Sequence, residues 1–336
     1  MAHDIGIDLG TTKVMVYDSE EGIVLREPSV VAVNNKTGQV LAVGEDAYIM
    51  VGKTPSHISA IWPLIDGVIS DYDMTKEMIR HFVTKASGRK LIKPRVAICI
   101  PSGITDVESR AVIDTAVTAG ARKVYLIEEP VAAAIGAGID IMKPDGNAVI
   151  DIGGGTCDIA VISMGGIVQK DSIKLAGNKF DQAIIKATRN KYGVLIGEKT
   201  AEQVKKDVGS VFPLENKSTE LKGRNLVTGL PQRLTVHTED YYDDLMELAE
   251  QVVASMLSVF EKTPPELVGD IHTNGICMTG GGSLLDGLDR LMAQRTGVAV
   301  HIAEHPVDCV AIGTGKSFQY LEDLLDGITS PNTHSH

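Results

Sequence analysis

One short pattern occurs twice in this chain, and the repeat constrains the fold more than any other feature. The copies are IGIDLGTT, beginning at Ile5, and IDIGGGT, beginning at Ile150. In each, an apolar strand ends in an aspartate, one apolar residue follows, and glycine opens the turn. Asp8 and Asp151 are 143 residues apart, and a following Gly-Ile-Val triplet repeats at 144 residues. This spacing indicates a duplicated domain; the alternative is two unrelated β-turns.

Two such turns facing each other would surround a polyphosphate with backbone amides and carboxylates. Glycine has no Cβ to keep the amides away from a phosphate. We expect Asp8 and Asp151 to act through Mg²⁺, which keeps its waters while carboxylates hold those waters and phosphate oxygens complete the shell. Thr11, Thr12 and Thr156 add hydroxyl donors. Taken alone, either aspartate could instead cap a turn.

The composition bounds the class of protein. The 336 residues are enough for two domains with full cores. A net charge of −12 argues against nonspecific nucleic-acid binding. The four cysteines lie far apart without metal-ligand spacing, which favours reduced thiols in a cytosolic protein. With no signal peptide ahead of the first strand and no apolar run near the roughly 20 residues that span a bilayer, we expect a cytoplasmic protein, at most peripheral to a membrane.

Strands and helices alternate along the chain, which predicts α/β sheet layers. The first half predicts a three-stranded meander over 5–33, a small insertion over 34–65, helix 72–86, strand 96–100, a capping-box helix from Thr105 to near Gly120, strand 124–127 and an alanine-rich helix after Pro130. The second half predicts the repeated hairpin from Ala148, helices 179–191 and 200–209, a β region over 224–237, helix 239–261, strands 276–279 and 298–302, and helix 307–323.

Glu129 follows a predicted buried strand and precedes Pro130, where a helix begins. A carboxylate at this position can orient or deprotonate a water for phosphoryl transfer. The alternative is an acid favoured by the helix dipole, and the adjacent Glu128 could fill that role equally.

Three further segments have an open interpretation. The glycine-rich turn 280–283 would let a flat base approach the backbone. Glu202 and Lys205 share a helix face and could hold a ribose, or form a solvated ion pair. Leu91 and Ile92 lie between basic residues, which suits a loop dipping into an anionic membrane, or a charged lead-in to strand 96–100.

These motifs resemble the actin-like ATPase superfamily and, within it, the MreB-like cell-shape proteins, over about residues 4–325. The superfamily marks are DLGTT from Asp8, DIGGGT from Asp151 and TGGGS from Thr279. The MreB-like stretches are GIVLREPSVVA from Gly22, DGVISDYD from Asp66, EEPVAAAIG from Glu128 and LLDGLDRL from Leu284. The chain departs from the family at Lys13, which stands in a turn closer to the DnaK-type chaperones, and at Cys157 and Asp158, where Thr and Glu are usual.

The resemblance implies an actin-like ATPase fold of two duplicated ribonuclease-H-like lobes, each with a small inserted subdomain. Lobe I would cover 1–145, with core 1–33 and 66–145 and small subdomain 34–65. Lobe II would cover 146–325, with core 146–178 and 246–306 and small subdomain 179–245, and helix 307–323 returning to lobe I. The tail 326–336 is predicted to be disordered, and its part from Ser330 to His336 is polar.

The resemblance also implies ATP with Mg²⁺ between the lobes. Glu129 would position the attacking water with help from Thr156, and Asp8 and Asp151 would complete the catalytic set. The implied ATP-binding residues are Gly10, Thr11, Thr12, Lys13, Gly153, Gly154, Gly155, Thr156, Glu202, Gln203, Val204, Lys205, Gly280, Gly281, Gly282 and Ser283.

The implied partners are other copies of the chain, in double filaments, and the anionic inner face of the cell membrane. Family resemblance adds MreC, MreD, RodZ and the wall elongation machinery, with a role in rod shape and no nucleic acid. One alternative is a DnaK-type chaperone ATPase, but we expect no substrate-binding domain after residue 325. A second is a sugar or acetate kinase, for which no second substrate site is evident. A third is a plasmid-segregation or division actin, which the MreB-like stretches disfavour.

Overall fold

The computed structural model describes residues 4–88, 93–101, 104–212, 216–321 and the backbone of 328–329. In chain order the strands are Asp4–Leu9 (β1), Lys13–Asp18 (β2), Gly22–Pro28 (β3), Val31–Asn34 (β4), Val40–Val43 (β5), Ile58–Ile61 (β6), Leu64–Ile65 (β7), Val68–Ile69 (β8), Arg95–Ile100 (β9), Lys123–Glu128 (β10), Asn147–Ile152 (β11), Cys157–Ser163 (β12), Gly166–Ile173 (β13), Val194–Leu195 (β14), Ser218–Asn225 (β15), Pro231–His237 (β16), Ile276–Thr279 (β17), Val300–Ile302 (β18) and Ile328–Thr329 (β19). The helices are Glu45–Tyr48 (α1), Tyr72–Ser87 (α2), Asp106–Thr118 (α3), Glu129–Gly136 (α4), Gly177–Tyr192 (α5), Glu198–Val208 (α6), Tyr242–Lys262 (α7), Pro265–Asn274 (α8), Leu288–Thr296 (α9) and Cys309–Lys316 (α10).

Two large sheets share one topology. The first has the strand order β19-β10-β9-β1-β2-β3 and the second β13-β12-β11-β17-β18. In each, an antiparallel three-stranded meander continues into parallel strands beside its first strand. Asp8 pairs with Met15 across one hairpin, and Asp151 pairs with Asp158 at the equivalent place in the other. The predicted duplication and α/β fold are confirmed.

The apolar strands predict where the sheets are buried. Strands β9, β11 and β12 are almost continuous apolar runs, as expected for strands covered on both faces. Helices α2 and α3 pack on the first sheet, and α5 and α7 contribute to the core of the second. Helices α4 and α10 share one core with residues of both sheets. They lie so close that a Cβ at Gly136 would overlap the carbonyl of Cys309.

Each half also contains a small three-stranded sheet, with the orders β5-β4-β6 and β14-β15-β16. The first begins at Val31, before the predicted start at 34, because β3 ends at Pro28 and the chain turns there. The second includes a hairpin that begins at Ser218, earlier than the predicted 224–237. In β15 the buried Leu221 lies between the charged residues Glu220 and Lys222, so the sequence lacks the run of apolar residues that would indicate a strand. The lobe boundaries themselves stay predictions.

Helix ends follow their local chemistry. The predicted capping box of α3 is present, since Thr105 N donates to Glu108 Oε2 at 2.9 Å. Pro265, expected only to stop α7, occupies the first turn of the unpredicted α8. Helix α10 is shorter than the predicted 307–323, because the chain tightens into a 3₁₀ turn where Ser317 Oγ donates to Thr314 O at 2.7 Å.

Strand β19 lies inside the tail 326–336 that the sequence predicts to be disordered. Its backbone pairs antiparallel with β10, so the prediction is wrong at these two residues. The edge of the first sheet offers unpaired backbone groups, which a short segment can join through its backbone alone. Within the described residues, no helix combines the length and apolar character needed to cross a membrane.

Candidate functional site

The first repeated turn joins β1 to β2. Asp8 lies next to the end of β1 and is 8% exposed. Ser29 Oγ donates to Gly10 O at 2.5 Å and holds the turn from behind. A Cβ at Gly10 would lie 2.8 Å from Lys13 O, so the tight turn requires glycine there.

The second repeated turn joins β11 to β12 and rests on the start of α5. Gly153 N donates to Thr156 O at 2.9 Å, which closes the turn. Asn178 N donates to Gly154 O at 2.8 Å, which fixes the turn against the helix. Thr279 Oγ1 donates to Asp151 Oδ1 at 2.6 Å from the neighbouring strand β17. Sequence reasoning missed this contribution of Thr279, which only the parallel pairing of β11 and β17 reveals.

The structure brings the two turns together. An added Cβ at Gly155 would lie 2.6 Å from Thr11 Oγ1, and one at Gly154 would overlap Thr12 Oγ1. The Thr12 hydroxyl is buried between the turns and has no hydrogen-bond partner among the described residues. A buried unpartnered hydroxyl at this place fits a site that receives a polar ligand.

A third turn, Asp66–Gly67, closes the same space and was not predicted as part of the site. It joins β7 to β8, with φ of 50° at Asp66 and 69° at Gly67. Gly67 N donates to Thr11 Oγ1 at 3.2 Å. An Asp-Gly pair between apolar dipeptides is a strong hairpin signal, which the sequence offers, although the contact with the repeated turns is tertiary.

The buried carboxyl groups near the turns resist ionisation. Burial, and then the charge of Asp151, raises the pKa of Asp8 to about 8. Burial also raises the pKa of Asp151 to about 7, although the hydrogen bond from Thr279 acts in the opposite direction. Because desolvation and like charge both disfavour a carboxylate, this space favours a cation.

Glu129 lies at the start of α4 and faces this space, with 7% of its surface exposed. Burial, followed by the charges of Asp158, Asp151 and Asp8, raises its pKa well above the ordinary value. Its side chain shares a hydrogen bond with Asp158, which is fully buried. Glu128 instead pairs with Lys170 at 2.6 Å and stays more exposed. The structure therefore separates two adjacent acids that the sequence could not distinguish.

These side chains fit Mg²⁺ held through water rather than by a cage of protein ligands. Neither Asp8 nor Asp151 forms an ion pair with a residue that the structure describes. In the same part of the chain, no three His, Cys, Asp or Glu side chains are grouped to hold an ion alone. Mg²⁺ commonly takes one or two carboxylates plus phosphates and waters, which matches both findings.

Helix α6 places its four predicted residues in different surroundings. Lys205 Nζ pairs with Asp181 at 2.8 Å and donates to Gly177 O at 2.9 Å, beside the second turn. Glu202 pairs with Lys206 at 2.6 Å and not with Lys205, so the alternative of an ion pair between Glu202 and Lys205 is not present. Burial would raise the pKa of Glu202, but Lys206, Lys205 and Lys13 together lower it.

The other two predicted residues of α6 are less suited to a ligand. Gln203 is exposed, and its Nε2 donates to Asp207 at 2.7 Å. Val204 is 2% exposed and packs in the hydrophobic core around the second sheet, so its side chain does not reach a nucleotide. The helical period places Val204 on the face of α6 that packs on the core, whereas the adjacent Gln203 lies on the exposed face.

The third glycine-rich segment follows β17 and lies against the second turn. Gly280 has φ of 79° and packs on the backbone of Ile152. Ser283 is buried, and its Oγ donates to Gly280 O at 2.7 Å, so this hydroxyl shapes the turn. Gly281 is exposed, and no described atom lies within 4 Å of the place its Cβ would occupy. Gly282 packs on the side chain of Ile152.

The two small sheets meet through helices α1 and α6. Lys199 Nζ lies 3.5 Å from the centre of the Tyr48 ring, a cation–π contact between the halves. Lys179 and Asp66 approach to 4.0 Å between the same halves. No local sequence pattern indicates these contacts. The predicted membrane residues Leu91 and Ile92 lie outside the described residues.

Known proteins are similar to this chain over nearly its whole length. A family model described as MreB/Mbl protein matches residues 2–326. The cell shape-determining protein Mbl of Bacillus subtilis (strain 168) is 50% identical over 325 residues, which cover 96% of this chain and 98% of that protein.

Solved structures are similar over the same length. MreB5 of Spiroplasma citri, bound to AMPPNP, has a TM-score of 0.89 and 40% identity, and covers 96% of this chain and 97% of its own. The MamK double helical filament has a TM-score of 0.79 and 21% identity, with 95% and 99% covered. MamK therefore supports the fold alone, whereas the other matches are close enough to indicate the family.

Proposed function

The chain belongs to the MreB/Mbl family, and on that premise we propose that it binds ATP between the two repeated turns and hydrolyses it to ADP and phosphate. The observation that carries this proposal is the meeting of the turns around the unpartnered Thr12 hydroxyl, beside three buried carboxyl groups. The related MreB5 structure bound to AMPPNP supports it. Backbone amides of residues 10–12 and 154–156 would bind the phosphates, while the Gly153 N–H closes the second turn on Thr156 O.

Asp8 and Asp151 would hold Mg²⁺ through water molecules. The ion would neutralise phosphate charge and favour the ionised form of both carboxyls, which burial now disfavours. Thr279 keeps the Asp151 carboxylate in place by its hydrogen bond. Lys205, held beside the second turn, adds a fixed positive charge near the phosphates.

Glu129 would act on the attacking water. Burial and the charges of Asp158, Asp151 and Asp8 raise the pKa of Glu129, so it needs a nearby cation in order to ionise. Mg²⁺ beside Asp8 and Asp151 would supply that charge, and the ionised Glu129 would then be a strong base that accepts the water proton as the terminal phosphate is transferred. Thr156 lies in the same turn as the backbone amides that would bind the phosphates, and it would assist in orienting that water. Asp158 fixes Glu129 by the shared hydrogen bond.

The adenosine would lie toward the third glycine-rich segment and α6. Gly281 leaves open space where a flat base can approach. Glu202 is ionised more readily than usual, which suits a hydrogen bond from a ribose hydroxyl. Lys13 contributes positive charge on the same side of the cleft.

We further propose assembly of the chain into paired filaments on the inner, anionic face of the cell membrane. The name of the related Mbl protein, cell shape-determining, supports this role. The segment around Leu91 and Ile92 would contact lipid, and MreC, MreD, RodZ and the wall elongation machinery would be partners. The filaments would organise peptidoglycan synthesis for rod shape, in the cytoplasm at the membrane.

Sedimentation tests the assembly. We expect polymer to pellet with ATP and Mg²⁺, and more of it in the presence of vesicles that contain phosphatidylglycerol.

Thr12→Val removes the unpartnered hydroxyl with little change in volume, and should weaken ATP binding before it affects folding. No pelleted polymer with any nucleotide or lipid would contradict the assembly, and tight ATP binding by the Thr12→Val protein would contradict the role of Thr12.

A further inference from the structure

The hairpin of β15 and β16 ends in an exposed apolar turn. Within residues 225–230, which we name the hairpin tip, Leu226 is 44% exposed, Val227 92% and Leu230 65%. Single exposed apolar residues are ordinary, but three within five residues form a patch. Side chains as exposed as these contribute little to the core, so folding does not explain their apolar character.

The backbone N–H groups of the hairpin tip are all hydrogen-bonded within the protein. Asn225 Oδ1 accepts from Val227 N at 2.8 Å and from Thr228 N at 2.9 Å. The remaining N–H groups of the tip donate to Leu230 O, Gly193 O, Asn225 O and Thr228 Oγ1. A turn whose N–H groups are all paired can enter an apolar boundary without the cost of unsatisfied donors.

Basic residues line one face of the hairpin behind the tip. Lys222 and Arg233 are direct partners across the ladder, and Arg224 lies two residues further along the same face. Like charges directly opposite each other are unfavourable. None of the three forms an ion pair within the part of the chain that the structure describes. Glu220, farther from the tip, is the one acid on this face of the two strands.

Packing in the core accounts for the residues on the opposite, buried face of the hairpin, but not for those on the outward face. Leu221 and Leu234 pair across the ladder and pack in the core around the second sheet. The outward cations have no such role, and they are clustered in a chain whose net charge is −12. Together with an apolar tip, they complement an anionic surface that has an apolar layer beneath its charge.

We propose that the hairpin tip, with Lys222, Arg224 and Arg233, is a contact site for an anionic lipid bilayer. Leu226, Val227 and Leu230 enter the headgroup boundary while the cations bind lipid phosphates. A bilayer accepts a projecting apolar turn without a matching pocket, which a protein partner would have to supply. This inference deepens the proposed membrane association and rests on it, but it assigns a site separate from Leu91 and Ile92.

Flotation with vesicles tests the site. Two variants are compared with the parent chain: Leu226→Ser/Val227→Ser/Leu230→Ser, and Lys222→Gln/Arg224→Gln/Arg233→Gln. Each should bind phosphatidylglycerol vesicles at least about tenfold more weakly at low salt, and the parent should bind neutral phosphatidylcholine vesicles poorly. Val107→Ser is the matched control, since Val107 is 77% exposed on α3 and should not affect vesicle binding.

A fluorescence measurement locates the contact directly. Trp62 is the one tryptophan of the chain, so Trp62→Phe/Val227→Trp places a single indole at the hairpin tip. Its emission should shift to shorter wavelength with phosphatidylglycerol vesicles and stay constant with phosphatidylcholine vesicles. The shift should decrease at about 0.5 M salt, which screens the cations.

Nucleotide binding and lipid-free sedimentation are measured on the same proteins, which separates this site from the proposed ATPase and filament. The expected result is weaker vesicle binding with ATP binding and polymer unchanged. Unchanged vesicle binding, or no emission shift, would overturn the proposal. Loss of polymer in the absence of lipid would also overturn it, because the tip would then contact another copy of the chain.

Discussion

Gly154 occupies the point where the repeated turns approach most closely. A Cβ there would overlap Thr12 Oγ1, so any side chain must displace the hydroxyl that we assign to the phosphates. The turn itself needs glycine because the opposing turn, rather than its own backbone angles, leaves no space.

Gly154→Ala should therefore lower ATP affinity by about tenfold or more, equivalent to about 1.4 kcal/mol. Titration with a fluorescent ATP analogue measures this effect. Gly269→Ala is the control, because no described atom lies within 4 Å of that Cβ on α8. The control should keep its affinity and gain up to about 1 kcal/mol of stability. Equal affinity of the Gly154→Ala and parent proteins would contradict the assignment.

The Asp8 carboxyl couples folding to pH. Its pKa is raised from 3.8 to about 8 in the folded chain, so the folded state holds a proton that the unfolded state releases. The free energy of unfolding of the nucleotide-free protein should therefore fall as pH rises from about 4 to about 8.

Asp8→Asn should remove much of this pH dependence and stabilise the nucleotide-free protein at pH 8. One unit of pKa corresponds to about 1.4 kcal/mol, so we expect a gain of at least about 1 kcal/mol. Urea denaturation at two pH values, with EDTA present, measures it. Glu21→Gln, at an exposed position, should leave the slope unchanged. A slope equal to that of the parent in the Asp8→Asn protein would refute the coupling.

At the scale of elements, α1 and α6 connect the small sheets of the two halves. The ammonium of Lys199 over the Tyr48 ring contributes on the order of 0.5–1 kcal/mol at an exposed position. A contact of this size can slow opening of the cleft without determining whether the chain folds.

Lys199→Gln should accelerate dissociation of ADP by about twofold to fivefold, the factor that 0.5–1 kcal/mol allows. Stopped-flow release of a labelled nucleotide measures the rate. Lys76→Gln removes a similar contact inside α2, between Lys76 and Tyr72, and should leave the rate unchanged. If both variants release ADP at the rate of the parent, the contact does not hold the cleft.

Elements with local signals were predicted well. The capping box at Thr105 begins α3 as expected, and Pro264 and Pro265 end α7. The errors occur where tertiary contacts decide. In the sequence of β15 the charged outward residues outnumber the buried ones, so the strand is not evident. Strand β19 is formed by pairing with the edge strand β10, which is a tertiary contact.

At the scale of the molecule, the duplication predicted both the fold and the two turns of the site. It could not predict what joins them. The Asp66–Gly67 turn, the bond from Thr279 to Asp151 and the pairing of Glu129 with Asp158 all link residues distant in sequence. The repeat predicts that two similar surfaces exist, whereas their complementary contacts depend on how the halves pack.

The two turns are similar but not equivalent. Across its hairpin Asp8 faces Met15, whereas Asp151 faces Asp158. The second turn therefore adds a carboxyl group that contacts Glu129, and the first does not. Under the proposed function, both halves would bind the metal and the phosphates, and the water would be activated in the space between α4 and the second turn.

Phosphate release by Glu129→Gln tests that assignment most directly. We expect turnover to fall by about a hundredfold or more, because the amide cannot accept the water proton, while ATP affinity stays within about threefold. Glu128→Gln, which alters the half-buried partner of Lys170, should keep the rate of the parent. Unchanged phosphate release by the Glu129→Gln protein would contradict the account.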